Sequence, residues 1–264
     1  MGIPKIIHYC WFGEGTIPEN DRKCIESWKK YCPDYEIIEW NESNYDVTQN
    51  TYMYEAYQAK RWGFVPDYAR LDIIYRYGGI YLDTDVELIR SLDELLELNG
   101  FAGFEQGTKY LALGLGFGAK KGDPFIKELR DLYTTRSFVD IDGRVDLTPN
   151  PKITTEYLEQ AYPKICLMQK GVLENGFTLF PTEYFCPMNY ETGKTIITKN
   201  TFSIHHYHAS WKTQEEKQEM LIYMRYVKCF GQFLGERVYQ FVQTSKEYGI
   251  TTAITKACKN IVRW

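Results

Sequence analysis

The sequence predicts an α/β fold, in which a largely parallel sheet is flanked by helices and followed by a helical layer at the C-terminal end. Two observations indicate this fold: segments typical of strands and helices alternate over the first hundred residues, and the pattern is helical from residue 213 onward. The chain has 264 residues, which is enough to bury a large core. Because no repeat or low-complexity linker interrupts it, we predict one main domain over residues 1–212 and a helical segment over 213–264 packed on it.

Each predicted element follows from a local pattern. Segment 5–12 is rich in β-branched and aromatic residues, which predicts the first strand, and Gly13 and Gly15 form the turn after it. A buried helix is predicted from Pro66 to the glycine pair at 78–79, because proline favours the first turn of a helix and glycine its end. The other predicted strands are 35–40, 101–105, 111–119, 177–181, 195–200 and 202–208, and the other predicted helices are 18–32, 51–62, 123–136, 152–161 and, with breaks near Gly231 and Gly249, the segment from 213 onward.

Charge is distributed unevenly along the chain. Residues 221–264 carry seven basic and two acidic side chains, a net charge of +5, whereas the whole chain has a net charge of −4. This balance argues against nucleic acid as the main partner, and it leaves an anionic lipid surface open as a contact of the basic tail. The seven scattered cysteines contain no CxxC pair, and neither a secretory leader nor an apolar stretch of ~20 residues is present. We therefore expect a cytoplasmic protein, at most peripheral to the inner face of the plasma membrane.

Three carboxylates, Asp83, Asp85 and Glu87, stand at alternate positions directly after the apolar run GGIYL. If the strand continued through them, all three side chains would point the same way and repel one another unless they were solvated or neutralised by a cation. They also follow a predicted strand, at the edge where open α/β sheets bind ligands. We therefore predict a Mg²⁺ or Mn²⁺ site that bridges the two phosphates of a nucleotide, and the other interpretation is a solvated strand end.

Three of the four histidines, His205, His206 and His208, lie within four residues of one another. Along a strand His206 and His208 share one face and His205 takes the other, so without a bend they cannot all converge on one ion. From the residues alone, a structural role and a metal or phosphate role are equally supported for this cluster.

Two other sets of residues also have two interpretations each. Trp11 stands next to the first glycine turn, where it is either a core residue or a residue that stacks on a nucleobase. Asp67 and Arg70 are three positions apart on one predicted helix. They form either a surface ion pair of small energy or, at the ligand edge of the sheet, a grip on a sugar and a phosphate.

Three motifs, IPKIIHYCWFG, VPDYARLDIIYRYGGIYLDTDVE and SIHHYHASW, occur in this order and at intervals that resemble glycosyltransferase family 32. This is the sugar-binding DxD group that includes bacterial capsular polysaccharide transferases and yeast α-mannosyltransferases. The chain is more distantly similar to the glucosyltransferase domain of large clostridial toxins. The resemblance, which is specific over residues 3–119 and 177–211, implies a GT-A type, Rossmann-like fold, a nucleotide-sugar donor, Mn²⁺ or Mg²⁺, and retention of anomeric configuration.

The resemblance also implies roles for particular residues. The implied metal ligands are Asp85 and His206, with His205 or His208 as alternatives to His206. The implied catalytic residues are Asp83, Asp85 and Arg70, and the implied donor contacts are Trp11, Asp67, Arg70, Tyr81, Asp83, Ser210 and Trp211. The family usually has Ser-Asp where this chain has Pro66-Asp67, and commonly HHW where this chain has His205-His206-Tyr207.

The predicted function is transfer of a hexose from a nucleotide sugar to a saccharide acceptor in capsular or exopolysaccharide synthesis. A UDP-sugar is preferred as donor because the capsular relatives mostly use UDP-sugars, with UDP-galactose the first to consider, and a lipid-linked acceptor is implied by the resemblance and the basic tail. Same-face attack is favoured for retention, because no carboxylate identifies itself as the nucleophile of a double displacement. Two other classes fit part of the pattern: a metal-dependent nucleotide-diphosphate phosphoesterase and a non-catalytic nucleotide-sugar-binding protein.

Overall fold

The computed structural model describes residues 2–190, 192–209, 214–252 and 254. Tertiary contacts divide the chain into two compact units, one from Met1–Met188 and Thr195–Trp211 and the other from Asn189–Lys194 and Lys212–Trp264. The first unit contains the sheets, and the second contains a long helical element. The predicted boundary between residues 212 and 213 lies outside the described residues, so it stays a prediction.

The first unit alternates strands and helices along its N-terminal half. Its strands are β1 (Ile6–Cys10), β2 (Glu36–Trp40), β3 (Gly79–Tyr81), β4 (Val86–Leu88), β5 (Gly100–Phe104), β6 (Leu111–Ala112), β7 (Phe117–Ala119), β8 (Gly171–Val172), β9 (Phe177–Phe180) and β10 (Ser203–His205). Its α-helices are α1 (Glu19–Tyr31), α2 (Thr51–Gln58), α3 (Pro66–Tyr77), α4 (Pro124–Asp131) and α5 (Asn150–Ala161).

The main sheet of the described residues has eight strands in the order β2-β1-β3-β7-β5-β9-β8, with β6 beside β5. Strands β1, β2, β3, β5 and β9 run in one direction, and β6, β7 and β8 run in the other. A second, antiparallel sheet consists of β4 and β10. The structure confirms the predicted α/β class. Since β1 and β3 are adjacent and parallel, the residues that follow them meet at one edge of the sheet, where such sheets bind ligands.

Helix α3 is buried over most of its length, and its buried residues include both apolar and charged side chains. Leu71, Ile73 and Ile74 are fully buried in a core cluster that also contains the sheet residues of one face. Pro66 stands at the start of the helix, where its missing N–H costs no helical hydrogen bond. Gly78, with φ of 70°, ends the helix, and its N–H donates to the carbonyl oxygen of Ile74 at 2.8 Å. The helix therefore delivers the chain into β3, as predicted.

Segments 111–119 and 195–200, each predicted as a strand, are not continuous strands in the structure. Segment 111–119, predicted as one strand, is divided into β6 and β7 by a short 3-10 turn. Gly116 in this segment has φ of 123°, a conformation that glycine adopts and other residues rarely do, so a continuous strand cannot run through it. Segment 195–200, also predicted as a strand, contains only one isolated bridge. Its end is folded by hydrogen bonds between Thr198 and Thr201, which compete with strand pairing.

The second unit is helical over most of its described part. Helix α6 (Gln214–Tyr248) is interrupted at Gly231, whose φ of 74° and ψ of 165° are not helical, and it ends before Gly249 at φ 83°. Both predicted breaks are confirmed. The two halves of α6 approach closely, since a Cβ atom on Gly235 would lie 2.5 Å from the Cα of Val227. Among the described residues, no helix combines the length and the apolar character that crossing a membrane requires.

Candidate functional site

The turn after β3 carries the two aspartates of the DTD motif. Strand β3 ends at Tyr81, and the amide of Val86 donates to the carbonyl oxygen of Asp83 at 3.1 Å, which closes a tight turn. The chain then enters β4, which belongs to the other sheet. The expected row of three carboxylates along one strand is therefore wrong, because the strand ends before the first of them. Asp83 and Asp85 lie on the turn, and Glu87 lies on β4.

Two of these carboxylates converge with a histidine. One ligand atom each of Asp83, Asp85 and His205 lies within 4.8 Å of the others. His205 reaches this position because β10 pairs antiparallel with β4, with His205 opposite Val86. The Nε2 atom of His205 lies 3.1 Å from Oδ1 of Asp85. Two carboxylates and one imidazole fit Mn²⁺ well, because carboxylates suit Mg²⁺ and Mn²⁺ whereas imidazole suits transition metals.

The other two histidines of the cluster bind different carboxylates. His206 Nε2 lies 2.8 Å from Oε2 of Glu87, and His208 Nδ1 lies 2.7 Å from Oδ1 of Asp21. Neither belongs to the group of three ligand atoms, because His206 takes the opposite face of the chain from His205. The structure therefore brings His205, one of the two predicted alternatives, to the aspartates in place of His206.

Asp85 is held in its charged form by the histidine segment. Its Oδ2 atom accepts a hydrogen bond from the backbone amide of His208 at 2.9 Å, and its carbonyl oxygen accepts one from the amide of His206 at 3.0 Å. Burial by itself would raise the pKa of Asp85, but His205 and the His208 amide outweigh it and lower that pKa to about 2. Burial opposes the charge of His205 as well, yet Asp85 keeps the pKa of this imidazole above its usual value.

An arginine from α3 contacts the other aspartate. Arg70 Nη1 lies 3.4 Å from Oδ2 of Asp83, its Nη2 lies 3.4 Å from Oδ1 of Asp67, and its Nε donates to the carbonyl oxygen of Pro66 at 3.1 Å. The guanidinium also lies over the ring of Tyr81, 5.1 Å from its centroid. Asp67 and Arg70 are only 4% and 6% exposed, so they are not the surface ion pair that was one of their two interpretations.

Burial dominates the titration of the two aspartates beside Arg70. It raises the pKa of Asp67 to about 7, although Arg70 pulls in the opposite direction. It also raises the pKa of Asp83, again against the opposing effect of Arg70. Tyr81 is 1% exposed, so the ring beside the guanidinium presents almost no surface to a ligand.

Gly114 is part of this arrangement and was missed in the sequence. Its carbonyl oxygen accepts a hydrogen bond from the amide of Asp83 at 3.3 Å. A Cβ atom at this position would lie 2.2 Å from Oδ2 of Asp83 and 3.4 Å from Nη1 of Arg70. The absence of a side chain therefore lets the carboxylate reach the guanidinium. The LGLG run in which it lies is the available signal, but the apolar pattern of segment 111–119 predicts a strand interior there.

Trp11 lies where the chain leaves β1, at the same edge of the sheet as the turn after β3. Its indole is partly exposed, and its Nε1 donates to the carbonyl oxygen of Gly15 at 2.5 Å. The neighbouring Gly13, with φ of 99°, contacts a second indole, because a Cβ atom there would lie 2.9 Å from the ring of Trp62. Trp62 was not among the predicted site residues. Ser210 and Trp211 lie outside the described residues, and their roles as donor contacts stay predictions.

Comparison with known proteins identifies part of the chain. Residues 18–102 match the model of the glycosyltransferase sugar-binding region containing DXD motif. The match includes α3 and the turn after β3, with Asp67, Arg70, Asp83 and Asp85. It excludes Trp11 and His205. The predicted resemblance to the DxD sugar-binding group is therefore confirmed over these residues.

Curated relatives of this chain are fungal mannosyltransferases. The chain is 32% identical over 135 residues to inositol phosphoceramide mannosyltransferase 3 of Schizosaccharomyces pombe, covering 48% of this chain and 36% of that protein. It is 32% identical over 103 residues to mannosyl phosphorylinositol ceramide synthase SUR1 of Saccharomyces cerevisiae, covering 38% and 27%. The chain thus spans about a third of the length of the curated relatives it matches. Among solved structures, the PaToxG glycosyltransferase is similar at 19% identity with a TM-score of 0.49, covering 61% of this chain and 71% of that chain.

Proposed function

We propose that this chain, whose residues 18–102 belong to the DXD-containing sugar-binding region of glycosyltransferases, transfers a hexose from a nucleotide sugar to a saccharide acceptor with retention of configuration. The observation that carries the proposal is the convergence of Asp83, Asp85 and His205 at the ligand edge of the sheet. Arg70 stands beside this group and supplies a fixed positive charge next to Asp83.

The metal in this proposal is Mn²⁺, with Mg²⁺ as the alternative. Asp83, Asp85 and His205 would hold it. A divalent ion supplies positive charge that stabilises the diphosphate leaving group as the glycosidic bond breaks. The residues support this role, because the three side chains are partly buried and their ligand atoms already lie close together.

The chain's own residues would act mainly by position and charge. Arg70 is held by three contacts and by the ring of Tyr81, so its guanidinium has one orientation toward Asp83. Such preorganised charge lowers a barrier without reorganisation during the reaction. Same-face attack, in which the leaving phosphate takes the proton of the acceptor hydroxyl, needs no protein nucleophile. We keep this route because Asp67 and Asp83, the carboxylates nearest Arg70, are both engaged by it.

The donor proposed is a UDP-hexose, with UDP-galactose first. Trp11 would stack on the base, and Trp11→Ala should then weaken UDP binding by ~1–3 kcal/mol. The names of the curated relatives favour mannose as the competing sugar. Ser210 would contact the donor, and Trp211 would contact its diphosphate.

The acceptor proposed is a lipid-linked saccharide of capsular or exopolysaccharide synthesis, reached at the inner face of the plasma membrane by a cytoplasmic enzyme. Two observations support a lipid environment: the relatives are named for inositol phosphoceramide substrates, and residues 221–264 carry a net charge of +5. In the described part of α6, Phe230, Phe233 and Leu234 beside the break at Gly231 are more than half exposed. Basic charge near anionic lipid contributes ~1 kcal/mol per residue, and exposed apolar side chains add to it.

The test is a panel of UDP-galactose, UDP-glucose and GDP-mannose, each measured by thermal shift with Mn²⁺ and with a chelator. A donor present at about 100 times its Kd should stabilise the protein by ~2.7 kcal/mol, and only with metal. Asp85→Asn is the matched control and should show no such shift. Transfer is then measured by mass spectrometry of a saccharide acceptor incubated with the stabilising donor.

The outcomes separate the candidate classes. Metal-dependent stabilisation followed by a glycosylated acceptor supports the proposal. Cleavage of the donor at an equal rate without acceptor, and with no glycosylated product, would indicate a phosphoesterase. Stabilisation that persists in chelator, with no turnover of any donor, would indicate a nucleotide-sugar-binding protein.

A further inference from the structure

Asp21 is a fully buried carboxylate in the first turn of α1. Acidic residues are common there because they interact favourably with the N-terminal end of the helix dipole, and Glu19, two positions earlier, does so with a side chain that is 70% exposed. The side chain of Asp21, by contrast, is 1% exposed. A buried carboxylate is costly unless its oxygens are hydrogen-bonded, so its partners decide what it does.

Each oxygen of Asp21 binds a different segment of the candidate site. Oδ2 accepts a hydrogen bond from the hydroxyl of Thr84 at 3.0 Å, and Thr84 is the residue between the two aspartates of the turn. Oδ1 lies 2.7 Å from Nδ1 of His208 in the segment after β10. One side chain from α1 therefore connects the turn after β3 to the histidine segment.

The histidine segment in turn fixes Asp85. The backbone amide of His208 donates to Oδ2 of Asp85, which leaves Oδ1 of that carboxylate facing His205. The ring of His208 cannot turn without losing its hydrogen bond to Oδ1 of Asp21. The orientation of Asp85 is thus determined by His208, and that of His208 by Asp21.

We propose that Asp21 is a positioning residue of the metal site: it clamps Thr84 and His208 so that Asp85 presents Oδ1 beside Asp83 and His205. Hydrogen-bonding partners of metal ligands typically contribute 10- to 100-fold to metal affinity, because they hold the ligands in the geometry the ion requires. The inference rests on the proposed function only in taking these three residues as metal ligands.

The experiment measures Mn²⁺ affinity of the full chain in the absence of any donor, by isothermal titration and by the electron paramagnetic resonance signal of free Mn²⁺. Because Asp21 reaches Asp85 only through His208, Asp21→Asn should raise the Kd for Mn²⁺ by about 10-fold, the lower end of the effect of direct partners. Once sugar transfer is detected, this variant should need more Mn²⁺ for half-maximal rate but keep kcat at saturating Mn²⁺. Asp21→Glu, which keeps the charge, should recover part of the lost affinity.

The matched control is Glu87→Gln, which breaks the neighbouring carboxylate–histidine pair. The side chains of Glu87 and His206 are 42% and 30% exposed, and Glu87 makes no described hydrogen bond to the DTD turn, so this partly exposed pair should contribute little to metal affinity. If Asp21→Asn does not fold, Thr84→Val tests the same clamp from its other end, and it should also weaken Mn²⁺ binding.

Several results would overturn the inference. Asp21→Asn or Thr84→Val could melt at a lower temperature with an unchanged Kd for Mn²⁺, which is what a purely structural role predicts. Equal losses of affinity in Asp21→Asn and Glu87→Gln, or no Mn²⁺ binding by the parent protein, would do so as well. The proposed function can fail separately. If the parent binds Mn²⁺ and Asp21→Asn weakens that binding, but no sugar is transferred, the positioning role of Asp21 is supported and the glycosyltransferase activity is refuted.

Discussion

The turn after β3 places two aspartates two residues apart in opposite surroundings. On the arginine side, Asp83 faces Arg70, and burial nevertheless raises the pKa of Asp83. On the histidine side, Asp85 faces His205 and accepts the amide of His208. There the balance is reversed, because these partners outweigh burial and lower the pKa of Asp85 to about 2.

The difference shows that one short motif can combine a part with fixed geometry and a part where a cation can replace a proton. An arginine stays charged at any physiological pH and cannot bind a metal, so the arginine side is a fixed arrangement of Asp67, Arg70 and Asp83. A histidine can release its proton and then offer a lone pair to a cation. The histidine side is therefore where an incoming ion can replace a proton, while the arginine side keeps its geometry. The following four predictions test this division of roles.

The largest effect is expected from Arg70→Met, which leaves the buried Asp67 and the partly buried Asp83 without their cation. Breaking a buried ion pair by removing one partner costs about 3–5 kcal/mol, and the loss should be smaller at pH 5, where Asp67 can take up a proton. Urea unfolding at pH 7.5 and pH 5 measures this loss in the free energy of unfolding. The control is Arg22→Met, whose side chain is 64% exposed and lies 4.0 Å from Glu19, and which should cost less than about 1 kcal/mol. Equal losses in the two variants would refute a special role of the arginine side.

The second prediction concerns the histidine side. Asp85→Asn should weaken Mn²⁺ binding by more than about 100-fold, since it removes a direct ligand and not only a supporting one. Asp83→Asn should weaken it less, because the charge of Asp83 is already shared with Arg70. Titration followed by electron paramagnetic resonance compares the two. The division of roles is wrong if Asp83→Asn has the larger effect.

The third prediction is a pH dependence from Asp67. Because burial raises the pKa of Asp67 from 3.8 to about 7, the folded protein binds a proton in this interval that the unfolded chain has lost. The contribution of Asp67 to the free energy of unfolding is fully present below about pH 4. It declines as pH rises to about 7, by a few kcal/mol at most. Asp67→Asn should abolish the decline, so the melting temperatures of variant and parent should diverge between pH 5 and pH 8. A parallel pair of curves over this range would contradict the expectation.

The smallest effect is expected from Gly114→Ala. The added methyl group would lie 2.2 Å from Oδ2 of Asp83, so this carboxylate must move away from Arg70. Overpacking of this kind costs about 1–3 kcal/mol. Metal affinity should fall less than in Asp85→Asn, because the contacts of Asp85 to His205 and His208 are untouched. Gly107→Ala is the control, since nothing lies within 4 Å of its added Cβ, although its φ of 99° carries a strain of its own. A loss of Mn²⁺ binding in Gly114→Ala equal to that in Asp85→Asn would show that the two sides are not separable.

Local patterns in the sequence were sufficient for much of the fold. The proline and glycines that bound α3, and the glycines at 231 and 249 that break the C-terminal helices, act through their own backbone geometry, so they are visible without tertiary knowledge. The end of β3 is different. It depends on where the partner strands stop, and the apolar run up to Leu82 gave no local stop before the acidic residues.

The sequence predicted the residue types of the candidate site, but not which histidine lies beside the aspartates. The choice of His205 over His206 depends on the register between β10 and β4, which no pattern within the SIHHYHASW segment determines. Asp21 was indistinguishable from any acid in the first turn of a helix, since burial is a tertiary property. Gly114 was ambiguous because a glycine within an apolar run is compatible with both a strand and a close approach.

The pairing of β10 with β4 also has a consequence for the order of folding. It joins Val86 to His205, two positions at distant points of the chain, whereas β3 and the α3 helix that carries Arg70 are contiguous in sequence. Contacts between distant positions carry a larger loop-closure cost and tend to form late, and during synthesis the N-terminal part emerges first. A nascent chain can therefore assemble the arginine side while His205 is still untranslated. The group of three ligand atoms is complete only when β10 pairs with β4. The protein can therefore bind a cation at this site only late in folding.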